Sequence, residues 1–136
     1  MKIDPYNHKD RYEKWKSKSK DGMDGLTQEN SDLLLHYLKD MEIGINVSIE
    51  SKKGARSFIR LISLRDKITF VMKKIKEMYG LDDITKVSEE QILSFFSDMV
   101  NGIITKVNGK PYIAVRDYIK IFKAFWHWYQ KASKIF

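Results

Sequence analysis

The amino-acid sequence predicts an all-α fold, a small bundle of four main helices with a minor β-hairpin before the last helix. Apolar residues recur at helical spacing in four segments, and residues typical of helix ends stand at the boundaries of these segments. The chain has 136 residues, of which 43% are hydrophobic, and this suffices for one core. We therefore expect one helical domain over residues 26–136, preceded by a polar arm over residues 1–25.

The N-terminal arm is expected to be solvated, because lysine occupies every second position from Lys14 to Lys20. A short helix around residues 9–18 fits this composition, with Tyr12 and Trp15 as a small apolar contact. The stretch "DGMDG" that follows contains the glycines typical of a break in helical structure.

The first two main helices are predicted over residues 27–42 and 54–79. Thr27 is a residue type that caps helix N-termini, because its hydroxyl accepts a hydrogen bond from a free backbone N–H group. Gly44 and Gly80 follow the two segments. Glycine readily adopts the left-handed conformation in which many helices end.

The third and fourth main helices are predicted on either side of a turn. Ser88-Glu89-Glu90-Gln91 is a capping box before an apolar run, which indicates the start of the third helix. The last helix is predicted from about residue 112 to residue 134.

The minor hairpin is predicted from Asn108-Gly109, which stands between alternating apolar positions. Asn-Gly supplies the two positive-φ residues that a tight hairpin turn needs. Lys106 and Lys110 are then expected at the tip of the hairpin.

The composition excludes several kinds of site. There is no cysteine, so the chain forms no disulfide and no thiolate metal site. His8, His36 and His127 lie far apart in sequence, which argues against a zinc site. No apolar run approaches the length of a membrane span, and the N-terminus lacks the apolar region of a signal peptide. We expect an intracellular, DNA-associated protein with no membrane partner and no cofactor.

The basic charge is concentrated in two parts of the chain. The formal net charge is +7 and the pI is about 9.5. Residues 52–81 hold nine Lys or Arg against two Asp or Glu, and residues 103–136 hold seven against one. Residues 26–51 and residues 82–102 are acidic, each with one Lys against five Asp or Glu.

Helical geometry gathers these basic residues into two stripes. At about 100° per residue, one side of the last helix carries Arg116, Lys120, Lys123, His127, Gln130, Lys131 and Lys134, whereas most of its aromatic residues fall on the opposite, core-facing side. One side of the long middle helix carries Lys52, Lys53, Arg56, Arg60, Ser63, Lys67 and Lys74. Two basic stripes in one small domain predict a shared face for a polyanion whose phosphates they neutralise. The alternative is that each stripe is an ordinary solvated face.

Four segments follow one another in a characteristic order: "LTQENSDLLLHYLKDMEIG", "SKKGARSFIRLISLRDKITFVMKKI", "ITKVSEEQILSFFSDMVNG" and "YIAVRDYIKIFKAFWHWYQK". This order resembles the N-terminal core-binding domain of tyrosine recombinases (phage-type integrases), especially archaeal members. The resemblance covers roughly residues 26–132 and rests on helix patterns and aromatic helix ends.

The resemblance implies a helical, SAM-like bundle that clamps one side of recombination-site DNA, while a separate C-terminal domain cuts and joins the strands. In that family the second and the last of these helices face the major groove. On this chain the role falls to Lys52, Lys53, Arg56, Ser57, Arg60, Arg116, Lys120, Lys123 and His127. Lys67, Lys74 and Lys131 join the candidate DNA-binding residues from the stripes, and Lys106 and Lys110 join them from charge alone.

The catalytic residues of the recombinase family are not expected in this chain. The family uses an arginine, a lysine, a His-x-x-Arg pair, a further histidine or tryptophan, and a tyrosine nucleophile. The one His-x-x-Arg here is His8 to Arg11, which lies in the arm, and we interpret it as a coincidence. We therefore expect no cleavage activity from a chain that is either a fragment of a recombinase or a stand-alone domain, with the abrupt end favouring a fragment.

Two other function classes remain open at this point. The aromatic last helix is also typical of a helical protein–protein interaction domain. The pairs Asp82-Asp83 and Glu89-Glu90 suggest a metal-dependent nuclease only weakly, because adjacent carboxylates on a helix diverge by about 100° and acids favour helix starts. The expected partners are double-stranded DNA and other recombinase protomers on that DNA, with the isolated domain a monomer.

Overall fold

The computed structural model describes residues 7–23, 25–44 and 57–135, with the backbone alone for residues 133–135. The described elements are α1 His8–Ser19, α2 Gln28–Ile43, α3 Phe58–Tyr79, a 3₁₀ turn Ile84–Lys86, α4 Glu89–Val100 and α5 Val115–Ile135. The all-α class is confirmed. None of the described helices has the length and apolar character needed to cross a membrane.

The helix ends of α2, α3 and α4 follow the capping residues. Thr27 accepts a hydrogen bond from the backbone N–H of Asn30, and Ser57 accepts one in the same way at the start of α3. Gly44 and Gly80 close α2 and α3 in the left-handed conformation, at φ 74° and 69°. Both hydrogen bonds of the capping box of α4 are present. The Ser88 hydroxyl accepts the backbone N–H of Gln91, and the Gln91 side-chain oxygen accepts the backbone N–H of Ser88. The sequence predicts these ends except for the start of α3, which was expected at residue 54 and lies at Phe58, after the cap Ser57.

The described fold has five helices rather than the four main helices predicted. The fifth helix is α1, which covers the short helix expected around residues 9–18 and packs against α3 through Tyr12. The Tyr12 ring lies 5.8 Å from the Phe58 ring, and the guanidinium of Arg65 lies 4.9 Å from the centre of the Trp15 ring. Lys16 binds the carboxylate of Glu42 on α2 at 3.0 Å. Tyr12 and Trp15 make the contact between them that was expected, and they also dock α1 onto α3.

The predicted hairpin is wrong, because the described residues contain one isolated bridge, Thr105 to Pro111, and no paired strands there. The turn is closed by a hydrogen bond from the Gly109 N–H to the Lys106 carbonyl. Gly109 has a positive φ of 80°, but Asn108 does not. The Asn108 side chain instead accepts a hydrogen bond from the Lys110 N–H. Asn-Gly therefore makes a different turn, and proline at position 111 has no N–H with which to extend a ladder.

The last helix begins at Val115, three residues later than predicted. Ala114 has a positive φ of 59°, which is outside helical geometry and sets the boundary. Its carbonyl accepts the hydrogen bond of the Asp117 N–H, so the helical pattern starts immediately after it. Tyr112 lies outside the helix and packs its ring 5.2 Å from Phe70 of α3.

The core is organised around α3, which contacts α1, α2 and α5, whereas α4 packs mainly on α5. Leu64, Ile68 and Ile75 of α3 are fully enclosed. One buried polar contact fixes the 3₁₀ turn between α3 and α4 to this core. The side-chain oxygen of Asn30 accepts a 2.7 Å hydrogen bond from the backbone N–H of Ile84.

We predict that Asn30→Ala lowers the free energy of unfolding by about 1–3 kcal/mol, because it leaves the buried Ile84 N–H without an acceptor. Urea denaturation measures this change. The matched control is Lys39→Ala, which removes an exposed side chain of the same helix and is expected to change stability by about 0.5 kcal/mol or less. Equal effects of the two substitutions would contradict the role of Asn30.

We also predict an alkaline loss of stability that depends on Tyr12. Burial, with a smaller contribution from Glu42, raises the pKa of Tyr12 above its usual value. The unfolded chain releases this proton near pH 10 while the folded chain retains it, so stability is full below pH 10 and falls above it. Between about pH 10 and 12 the ionisation of Tyr12 lowers the free energy of unfolding by up to about 1.4 kcal/mol per pH unit.

Urea denaturation at stepped alkaline pH checks this dependence. Tyr12→Phe is expected to remove that part of the decline, whereas Tyr112→Phe, which keeps Tyr12, is expected to retain it. An identical alkaline slope in the Tyr12→Phe chain would show that the burial of Tyr12 does not couple its ionisation to folding.

Candidate nucleic-acid interface

One side of α5 presents a basic surface to solvent. Ile121, Phe125 and Trp128 are buried on the side that faces the core. The opposite side carries five exposed side chains that the sequence places within one stripe, which we call the α5 stripe: Arg116, Lys120, Lys123, His127 and Lys131. The expected segregation of aromatic and basic residues on this helix is present in the fold.

Contacts with α2 hold α5 in this orientation. The indole N–H of Trp128 donates a 2.8 Å hydrogen bond to the buried carboxylate of Asp40. The ring of Tyr37 lies edge-on to Phe125 at 5.0 Å and to Trp128 at 5.1 Å. Because these contacts fix the rotation of α5 about its axis, they also fix the direction in which the stripe points.

No ion pair neutralises the α5 stripe in the part of the chain that the structure describes. Within the described ranges, none of its five side chains takes part in an ion pair. Asp117 is the sole acidic residue of residues 103–136. Arg116, Lys120, Lys123 and Lys131 therefore present four uncompensated positive charges on one solvent-facing surface.

The described basic residues of α3 are more engaged. Arg60 is exposed, but Lys67 is half-buried, with its amine 3.4 Å from the Ser63 hydroxyl and over the ring of Tyr118. Lys74 is also half-buried and lies 3.5 Å from the carboxylate of Glu77. Two of these three side chains therefore already have partners within the fold.

The described parts of the two stripes do not meet on one surface. Lys67 contacts α5 at Tyr118, and at about 100° per residue Tyr118 is separated from Lys120 by about 160° and from His127 by about 180°. The α5 stripe therefore points away from the side of α5 that touches α3. The α5 stripe lies on one helix face as expected, whereas Lys52, Lys53 and Arg56 of the other stripe lie outside the described residues. The mutual orientation of two helix faces depends on how the helices pack, which helical spacing alone does not show.

The remaining candidate residues are distributed as follows. Lys52, Lys53 and Arg56 lie outside the described residues, as does the side chain of Lys134. Ser57 is exposed and accepts the Arg60 N–H as the cap of α3, a structural role. Lys106 is half-buried and Lys110 is exposed, on either side of the turn that replaces the hairpin.

A second surface feature, which the sequence analysis missed, is an apolar groove between α4 and α5. It has a volume of about 560 Å³, with Phe96, Phe122 and Trp126 among its lining residues. Lys123, His127 and Gln130 of α5 also line it, and Glu89 lines it from α4. The available signal was the pair Leu93 and Val100, which are seven residues apart and therefore share one side of α4.

Comparisons with protein-family models, with curated proteins and with solved structures give no match. The recombinase resemblance therefore remains a prediction from the order of the sequence segments. The geometry of α5 and of the groove is the basis for assigning a function.

We predict that Lys120→Ala and His127→Ala each change the free energy of unfolding by no more than about 0.5 kcal/mol, since both side chains are exposed and make no ion pair within the described ranges. Trp128→Phe is the contrasting variant. It leaves the buried Asp40 without its indole donor and is expected to cost about 1–3 kcal/mol. Urea denaturation compares the three variants. A large loss of stability in Lys120→Ala would contradict the conclusion that the α5 stripe does not contribute to folding.

Proposed function

We propose that this chain binds double-stranded DNA as the core-binding domain of a site-specific tyrosine recombinase. The observation that carries the DNA-binding part is the α5 stripe, a row of unpaired cations on one exposed helix face. Support for the recombinase class comes from the helix order and the resemblance of the four sequence segments.

The dimensions of α5 suit a DNA duplex. From Arg116 to Lys131 the stripe extends over about 22 Å at 1.5 Å per residue, and its cations recur every three to eight residues along the helix. The major groove of B-DNA is about 12 Å wide and admits one α-helix. Lysine binds backbone phosphates, and an arginine at the start of the helix can donate two hydrogen bonds to a guanine edge.

In this proposal α5 makes the principal contact with the duplex, because the described part of the basic stripe on α3 lies on a different surface. Of the three basic residues of that stripe within α3, Arg60 is exposed, whereas Lys67 and Lys74 have partners inside the fold. Lys52, Lys53 and Arg56, which precede α3 in the sequence, are further candidates. The chain itself binds and positions DNA, and strand cutting and joining belongs to a separate catalytic domain.

A second candidate function is an interaction domain, which the apolar groove between α4 and α5 favours. DNA does not need such a groove, because phosphate binding relies on exposed charge. The groove and the α5 stripe adjoin each other on α5, because Lys123 and His127 belong to both.

The test is a fluorescence-anisotropy titration of the chain into a labelled duplex of about 30 base pairs at several salt concentrations. We expect affinity that falls along a straight log–log salt plot. Lys120→Ala and Lys123→Ala are each expected to reduce the salt slope by about 1 and to weaken binding about five- to tenfold at 0.1 M salt.

The matched control is Lys39→Ala, which removes one exposed lysine of α2 and is expected to leave both affinity and slope unchanged. Equal losses in Lys39→Ala and Lys120→Ala would show that net charge alone drives binding. Absence of duplex binding at low salt would overturn the proposal, and equal affinity for a single strand would contradict recognition of a duplex.

A further inference from the structure

The apolar surface of α4 exceeds what the fold itself covers. Phe95, Phe96 and Met99 are buried against the core, yet Leu93 and Val100 remain 61% and 63% exposed. They lie two helical turns apart, and at about 100° per residue their directions differ by about 20°. Ile103, three residues beyond the end of α4, is also 70% exposed. Exposed apolar side chains that share one helix face are typical of an interaction surface.

The groove beside this row continues the same surface. Phe96, Phe122 and Trp126 line it, and the rings of Phe122 and Trp126 stack at 5.8 Å. Leu93 lies on its α4 side. An apolar groove next to an exposed apolar helix row is the arrangement that accepts an amphipathic helix in helix-in-groove recognition.

The two rims of the groove carry opposite charge. Glu89 stands on the α4 rim, with Glu90 beside it at the first turn, and Lys123 stands on the α5 rim. In the described part of the chain Glu89 and Lys123 form no ion pair with each other or with another residue. The occupant that fits is therefore an amphipathic helix with an apolar row and with acidic residues facing the α5 rim.

Helix α4 itself has these properties. It carries the exposed row of Leu93 and Val100, and its first turn is acidic through Glu89 and Glu90. We propose that two copies of this chain associate symmetrically, with α4 of each copy lying in the α4–α5 groove of the other. A two-fold axis perpendicular to α4 makes the contact self-complementary, because each copy presents its acidic α4 to the basic α5 rim of the other.

This association buries the surface that a single copy leaves exposed. The two α4 helices run antiparallel and form a four-helix arrangement with the two α5 helices, the packing in which apolar helix faces are commonly covered. The inference goes beyond DNA binding and does not depend on it. Lys123 belongs both to the groove rim and to the α5 stripe, so the association is measured without DNA.

The experiment is sedimentation equilibrium of the full chain over a concentration range from low to high micromolar at about 0.1 M salt. We expect the mass to rise from one copy to two. Leu93→Glu and Val100→Glu are each expected to weaken the dimer at least tenfold, because each places a charge in an apolar contact. The matched control, Val107→Glu, changes a fully exposed valine on the turn outside the groove and is expected to leave the dimer constant unchanged.

A charge exchange tests the arrangement of the two copies. Glu89→Lys alone and Lys123→Glu alone are each expected to associate more weakly, because like charges then face each other across the two-fold axis. An equal mixture of the two variants is expected to recover a mixed dimer, in which every facing pair is again opposite in charge. The mixture remaining monomeric would overturn the placement of α4 against the α5 rim.

Three results would overturn the dimer itself: a single-copy mass across the whole concentration range, an unchanged dimer in Leu93→Glu, or equal weakening by Val107→Glu. The first of these would leave the groove to a different protein or to a small apolar ligand. Each result is independent of duplex binding, which the anisotropy titration measures separately.

Discussion

The hydrogen bond from the Trp128 indole to the buried Asp40 carboxylate sets the orientation on which the surface of this domain depends. It joins α5 to α2 at a point 88 positions apart in sequence, and it is a directional contact inside an apolar region. Apolar packing alone tolerates small rotations of a helix, whereas a buried donor and acceptor must stay aligned. The rings of Tyr37 and Phe125 pack around the same point.

Once α5 is fixed in rotation, its two other sides acquire separate roles. The side opposite the core carries the basic stripe, and the side toward α4 carries Phe122 and Trp126. Because α4 packs mainly on α5 and leaves Leu93 and Val100 exposed, the second side becomes an open groove rather than a closed core. A charged surface and an apolar one thus arise on a single helix, and they are suited to different partners.

Local signals allowed much of the fold to be predicted from the sequence. Thr27, Gly80 and the capping box at Ser88 act on neighbouring backbone groups, so a single sequence is enough to locate these helix ends. The exposure of the α5 stripe could also be predicted, because the helical repeat of 3.6 residues per turn places the stripe opposite the aromatic side of the helix. The identification of an all-α domain rests on these local features.

What could not be predicted depends on packing between distant segments. The docking of Tyr12 on Phe58 joins residues that no local pattern connects, and the same is true of Lys67 on Tyr118. The prediction of a hairpin at Asn108 failed for a different reason, since Asn-Gly permits more than one turn type. Pro111 also has no N–H with which to extend a ladder of paired strands. The groove was missed because amphipathic patterning identifies an apolar side without showing whether another helix covers it.

The number of basic residues in the chain overstates the positive charge that is available to a polyanion. Several cations of α3 and α1 are bound to carboxylates of the same chain, as in Lys74 with Glu77, Lys76 with Asp82 and Lys16 with Glu42. Counterion release depends on the cations that reach phosphates, and a cation that already faces a carboxylate releases fewer ions when DNA binds. The four permanent charges of the α5 stripe are therefore a better measure of the proposed interface than the number of basic residues in the sequence. This is why the proposed interface is assigned to α5 first, although residues 52–81 contain more basic residues.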